Sequence, residues 1–229
     1  MGLILIFIVF AILSFAVSST LKSKFKRYSQ TPLKSNMSGQ EVATQMLRDS
    51  GINDVKVTCV AGQLTDHYNP LNKTVNLSEP VYYGRSAASA AIAAHECGHA
   101  VQHAKAYTPL KVRSALVPIQ NASGRILNFV MLFSIFGGWM ISANYQTMGL
   151  VIVGCYFVLT TFSFITLPVE FDASKRALAW IEKNGIVTSK EHTMAKDALK
   201  WAAMTYLVAA LGSLVTLLYF LSMFFGGRD

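Results

Sequence analysis

Charge is scarce in this 229-residue chain. Asp, Glu, Lys and Arg make up 14% of it, against about 25% in soluble domains. The shortage is local: residues 1–21, 126–169 and 201–227 contain no charged side chain. An ordinary soluble globule is thereby excluded. Cysteine is also scarce, with only Cys59, Cys97 and Cys155. Three cysteines suggest no disulfide framework, and free thiols agree with a reducing compartment. Nothing in the chain matches a nucleic-acid-binding motif, so the net charge of +8 predicts no nucleic-acid partner.

The uncharged stretches are long enough to matter. A membrane span needs about 20 mostly apolar residues. The first stretch predicts one span near Leu3 to Ser18. The second predicts two, near Ile126 to Ala143 and Met148 to Leu167, around the polar turn Asn144 to Thr147. The third predicts a fourth span near Ala202 to Phe225. A signal peptide carries its basic residues before the apolar core, whereas here Lys22, Lys24, Lys26 and Arg27 follow it. The first span therefore reads as an uncleaved anchor with its N-terminus outside.

The basic residues set the orientation. Of 20 Lys and Arg, 13 lie between Lys22 and Arg125, six between Lys175 and Lys200, and one is Arg228. Basic residues favour the cytoplasmic side, which puts both polar segments in the cytosol. The run Lys22 to Arg27 is also suited to anionic lipid headgroups.

Histidine is rare too, yet two of the five are paired. His95, Glu96, Cys97, Gly98 and His99 form an H-E-x-x-H pentad. On a helix, residues four apart share a face, so His95 and His99 can aim two imidazole nitrogens at one Zn2+ ion. Glu96 stands beside them as the general base for a catalytic water. Ser86 followed by an alanine-rich run predicts a capped helix from about Ser86 to Lys105. Cys97 falls off the His95/His99 face and reads as helix packing.

Around that helix the pattern predicts a small α+β part. Ser38 and Glu41 form a capping box opening a helix to about Asp49, which Gly51 stops. Period-two alternation predicts strands at Val55 to Cys59, Leu64 to Tyr68 and Thr74 to Ser78. A small antiparallel sheet is expected, with Thr74 to Ser78 as the exposed edge on which a peptide backbone could lie. Pro109 and Pro118 are expected to break the stretch before the second span.

A catalytic zinc takes three protein ligands. His103 is four residues past His99, but on an unbroken helix it lies about 12 Å along the axis from His95. Glu170 is the better candidate. It lies three residues past Leu167, about 5 Å beyond the end of the third span if the helix continues, and on the same side as the pentad. Asp172 is expected to orient a ligand histidine as an acceptor. Glu182 and Glu191 read as ordinary interfacial acids. His67, Tyr68, Arg176 and His192 are the candidates for stabilising an oxyanion.

Four segments resemble a known group: Ala94 to His103, Leu64 to Tyr68, Leu77 to Gly84 and Leu167 to Ala173. Together they are similar to the bacterial YugP-type neutral zinc metallopeptidases, from about Ser38 to Ala210. More distantly they are similar to HtpX-type membrane gluzincins, which also place two spans between the pentad and a glutamate ligand. Those usually read Glu-x-x-x-Asp, where this chain has Ser174 at the last position and Asp172 two residues earlier. The resemblance implies peptidase activity.

The resulting expectation is an α-helical membrane protein with four transmembrane helices and a zincin-like α+β cytosolic part. Residues 1–21 form transmembrane helix 1 and 22–125 the catalytic part. Residues 126–168 form helices 2 and 3, 169–200 a cytosolic helical segment supplying the third ligand, and 201–229 helix 4 with the C-terminus. The expected activity is that of a zinc metalloendopeptidase, with zinc on His95, His99 and Glu170 and Glu96 as base. Its partners are a membrane-associated protein or peptide substrate and the lipid bilayer. The location is a bacterial cell membrane, with the active site facing the cytoplasm. The rivals are an intramembrane zinc protease and a non-catalytic membrane scaffold with a structural zinc.

Overall fold

The computed structural model describes residues 1–136 and 145–226. In chain order the elements are α1 (Gly2–Ser29), α2 (Gly39–Asp49), β1 (Lys56–Val60), β2 (His67–Asn69), β3 (Thr74–Ser78), α3 (Glu79–Tyr82), α4 (Ala87–Ala104), α5 (Thr108–Phe136), α6 (Tyr145–Lys183) and α7 (Ser189–Phe225). They form two compact units. One contains Met1–Phe15, Val112–Leu167 and Tyr206–Asp229; the other contains Ala16–Lys111 and Pro168–Thr205.

The first unit is helical and apolar. The phenyl ring of Phe10 lies over Gly212, and that of Phe224 over Gly149. Tyr156 and Phe220 stack with centroids 5.2 Å apart. Among the described residues three helices are long and apolar enough to cross a membrane: α1, Gln146–Lys183 within α6, and α7. Four spans were expected. The missing one, Ile126 to Ala143, coincides with the end of α5, and residues 137–143 lie outside the described residues. The described part of α5 carries Lys111, Arg113 and Arg125.

The prolines do not break α5 as expected. Pro109 sits in the first turn of α5, where a missing N–H costs nothing, and Pro118 lies inside the helix. Pro168 likewise sits inside α6, so α6 continues past Leu167 and carries Glu170 and Asp172.

In the second unit, α4 is the hub. Fourteen of its eighteen residues are buried, so α4 is packed on nearly every side. Alanines permit that crowding. Val42, Ala43, Met46 and Leu47 of α2, Val75 and Leu77 of β3, Val81 of α3, Ala177 and Ile181 of α6, and Ala195 and Leu199 of α7 join Ala87, Ala90, Ala91, Ala93 and Ala94 in one core. The caps are as expected. The Ser38 hydroxyl accepts from the Glu41 N–H, and the Glu41 carboxylate accepts from the Ser38 N–H. The Ser86 hydroxyl accepts from the Ser89 N–H. Gly51, at φ +71°, turns the chain after α2.

The sheet differs from expectation. Its order is β1-β3-β2, with β1 parallel to β3 and β2 antiparallel to it. The sheet is mixed, and β3 is its centre rather than its edge. Val75 and Leu77, on one face of β3, are both fully buried. The strand read at Leu64 to Tyr68 is shorter and later, at His67–Asn69. Asp66 instead turns inward, where its carboxylate accepts from the Ser78 N–H at 2.8 Å and the Ser78 hydroxyl at 3.0 Å. Glu191 is no ordinary interfacial acid. It is buried and accepts from the N–H groups of Thr188, at the start of α7, and Lys34.

Candidate metal centre

The helical spacing of His95 and His99 brings their rings edge to face, with centroids 4.8 Å apart. From α6, Glu170 enters between them. Its Oε2 lies 3.3 Å from His95 Nε2 and 3.5 Å from His99 Nε2. The three ligand atoms fall within 4.8 Å of one another, a set that could hold a metal ion. Glu170 is 3% exposed. Two imidazole nitrogens and one carboxylate oxygen match the donors of a catalytic zinc.

The electrostatics favour a cation at that point. Burial opposes ionisation of Glu170, but hydrogen bonds from His95 and His99 hold its carboxyl well below the usual carboxylate range. Burial also works against a charge on His99, yet its bond to Glu170 and the nearby Glu96 carry its pKa above the ordinary value. Metal ligands bind in their deprotonated forms, so such a site gives up protons when it takes a divalent ion.

Glu96 is buried beside the pair. Its Oε2 accepts the Tyr68 backbone N–H at 2.9 Å, so strand β2 is the sheet edge that reaches the pentad. Asp172 reaches His99 only through Gln102. Gln102 Oε1 lies 3.0 Å from His99 Nδ1, and Gln102 Nε2 donates to Asp172 Oδ2 at 2.8 Å. Arg176 Nε donates to the same Oδ2 at 2.6 Å. His95 Nδ1 faces the Ser174 hydroxyl at 3.1 Å. Ser174 occupies the place of the aspartate in the Glu-x-x-x-Asp pattern, a departure visible in the sequence to which the sequence reading assigned no role. Gln102 carried only a weaker sign, a polar residue one turn after a ligand histidine.

The remaining candidates stand apart from the three ligand atoms. His103 is exposed and meets the Tyr68 hydroxyl at 2.8 Å through Nδ1. Arg176 is engaged by Asp172, with its guanidinium 5.8 Å from the Tyr107 ring centroid. His67 Nδ1 lies 2.8 Å from the Thr65 carbonyl oxygen. His192 lies 3.7 Å from Glu182. Cys97 is buried in protein, its Sγ 3.5 Å from the Ala43 carbonyl oxygen, as the packing assignment expects. α4 is not among the helices long and apolar enough to span a membrane.

Comparison with known proteins agrees in kind. Residues 3–225 match the family described as "Putative neutral zinc metallopeptidase". The chain is 40% identical over 217 residues to the "Putative membrane protease YugP" of Bacillus subtilis (strain 168), covering 95% of this chain and 94% of that protein. No solved structure matches.

Proposed function

Because the chain belongs to the neutral zinc metallopeptidase family, we propose that it is an integral membrane zinc metalloendopeptidase whose active site faces the cytoplasm at the surface of a bacterial cell membrane. The observation that carries the reading is the convergence of His95, His99 and Glu170 within 4.8 Å. These three would hold the zinc. When bound, zinc supplies Lewis acidity and makes water acidic enough to serve as a nucleophile near neutral pH. Among the described residues the cluster has three members, which suits a catalytic site with an open position better than a closed structural one.

The chain's own groups do the rest. Glu96 is the general base. The Tyr68 N–H holds Oε2 and so fixes the carboxylate plane, leaving Oε1 to take the proton of the attacking water and return it to the departing amine. Gln102 and Ser174 steady the two imidazoles. Tyr68, beside Glu96 on an edge strand, is the candidate among the four for a donor to the carbonyl oxygen of the scissile bond. The substrate class is a protein or peptide presented at the bilayer. The position of Glu170 supports the membrane-surface placement, three residues past Leu167 on one continuous helix. The bias of basic residues toward 22–125 and 175–200 supports the cytoplasmic orientation.

Purified protein should contain about one zinc per chain and cleave an unfolded test protein, with cleavage abolished by chelation and restored by zinc. A preparation that binds no zinc and stays inactive with added metal sinks the reading.

A further inference from the structure

Gln102 is completely buried, an expensive place for a polar side chain unless every hydrogen-bonding group is used. All of them are. Its Nε2 donates to the Val169 carbonyl oxygen and to Asp172 Oδ2, each at 2.8 Å, and its Oε1 lies 3.0 Å from His99 Nδ1. The chemistry of the partners determines which end of the amide points where. A backbone carbonyl and a carboxylate salt-bridged to Arg176 can only accept, so both amide hydrogens must face them. The amide oxygen is then left facing His99, and an oxygen can only accept. His99 Nδ1 must therefore carry the hydrogen, and Nε2 is the nitrogen turned to Glu170. The partner of His95 makes no such choice, since the Ser174 hydroxyl can either donate or accept.

We infer that Gln102 is a positioning residue of the metal site, holding the His99 ring with Nδ1 protonated so that Nε2 is the nitrogen presented to a divalent cation. This rests on the metallopeptidase reading above and adds a determinant to it. Asp172 and the Val169 carbonyl matter here because they orient the Gln102 amide, and not through any contact of their own with the ring. The geometry also explains how an acid two residues earlier than the Glu-x-x-x-Asp pattern can still serve a ligand histidine: the Gln102 side chain spans the gap.

The test separates this role from a mere bridge between α4 and α6. Full-length wild type, Gln102→Met, Gln102→Glu and His99→Ala are purified in detergent, and zinc affinity is measured by chelator competition. Methionine keeps the length and removes both hydrogen-bonding ends, so affinity should fall by about 10–100-fold, the usual scale for losing a partner behind a ligand histidine. Glutamate still accepts from Nδ1–H but carries at most one hydrogen for Val169 and Asp172 where the amide has two. It should recover most of that affinity, whereas a residue that only bridged helices would make glutamate as poor as methionine. The inference is overturned if Gln102→Met binds within about threefold of wild type, or if Gln102→Glu is no better than Gln102→Met. Should Gln102→Met not fold, nitrogen NMR of the zinc-loaded wild type decides: a proton on His99 Nδ1 supports the inference, and a proton on Nε2 overturns it. If wild type binds zinc no more tightly than His99→Ala, the metal-site reading itself fails, an outcome distinct from the failure of Gln102 alone.

Discussion

Gly98 and Ala173 bring two helix backbones into contact at the candidate metal centre. A Cβ on Gly98 would lie 2.6 Å from the Ala173 carbonyl oxygen and 3.1 Å from its Cα. Gly98 sits between Glu96 and His99 on α4, and Ala173 lies three residues after Glu170 on α6. This close approach lets a short glutamate side chain reach both imidazoles. The obstacle to any larger residue is backbone, which cannot swing aside as a side-chain tip can.

Gly98→Ala should therefore be destabilising even though alanine favours helix by about 1 kcal/mol over glycine. Forcing a methyl into a full interface costs about 1–3 kcal/mol, and here it also pushes α6 away from the histidines. The expected result is a lower thermal midpoint together with reduced zinc content in the purified variant. A variant at least as stable as wild type, with full zinc content, would show that the helices are not held at this distance.

Glu96→Gln keeps the shape of the side chain and an oxygen for the Tyr68 N–H, but removes the basic carboxylate. Zinc content should stay near wild type while hydrolysis of a test protein falls by about 10²–10⁴-fold, the usual contribution of a positioned general base. Retained hydrolysis at wild-type rate would remove Glu96 from the mechanism.

Much of this arrangement was legible in the sequence because it rests on local rules. The pentad on a capped helix, the Ser38–Glu41 box and the apolar runs all follow from spacing along one element. Glu170 was reachable because a single continuous helix carries it, despite Pro168. What stayed hidden depends on how elements cross. Strand order is not written in the alternation of any one strand, so β3 read as an edge when it is the centre. The reach of Asp172 to His99 through Gln102 requires α4 and α6 to lie side by side, and Gly98 shows why they can only in three dimensions. Glu191 looked like any surface acid, and its burial depends on the Lys34 segment passing over the start of α7.

Glu170→Ala and His103→Ala separate the two candidates for the third ligand. Glu170 touches both Nε2 atoms, whereas His103 points its Nδ1 at the Tyr68 hydroxyl. Glu170→Ala should lose most of its zinc and all of its activity. It also removes the carboxylate that faces buried His99 and half-buried His95, so its thermal stability without metal should change as well. His103→Ala should retain zinc. Metal analysis of the two purified variants decides, and the opposite pattern would mean that the ligand set is wrong.

The sidedness of the candidate metal centre can be read from two cysteines of the same unit. Cys59 is exposed on β1, whereas Cys97 is buried at the heart of α4. Burial raises the Cys97 thiol pKa strongly, and the negative charge of Glu96 adds to the effect. Reactivity requires an accessible thiolate, so Cys97 should resist maleimide in the folded protein and react only after denaturation. It therefore cannot report membrane depth, but Cys59 can report sidedness. In a Cys155→Ala background, a membrane-impermeant maleimide added to intact cells should leave both thiols unmodified. Permeabilising the membrane should then label Cys59 alone, and adding denaturant should label Cys97 as well. The basic-residue bias that puts residues 22–125 in the cytosol stands or falls on the first step. Labelling of Cys59 in intact cells would place the pentad outside and reverse the orientation. Labelling of Cys97 in the folded protein would mean that the core around α4 opens far enough to admit the reagent.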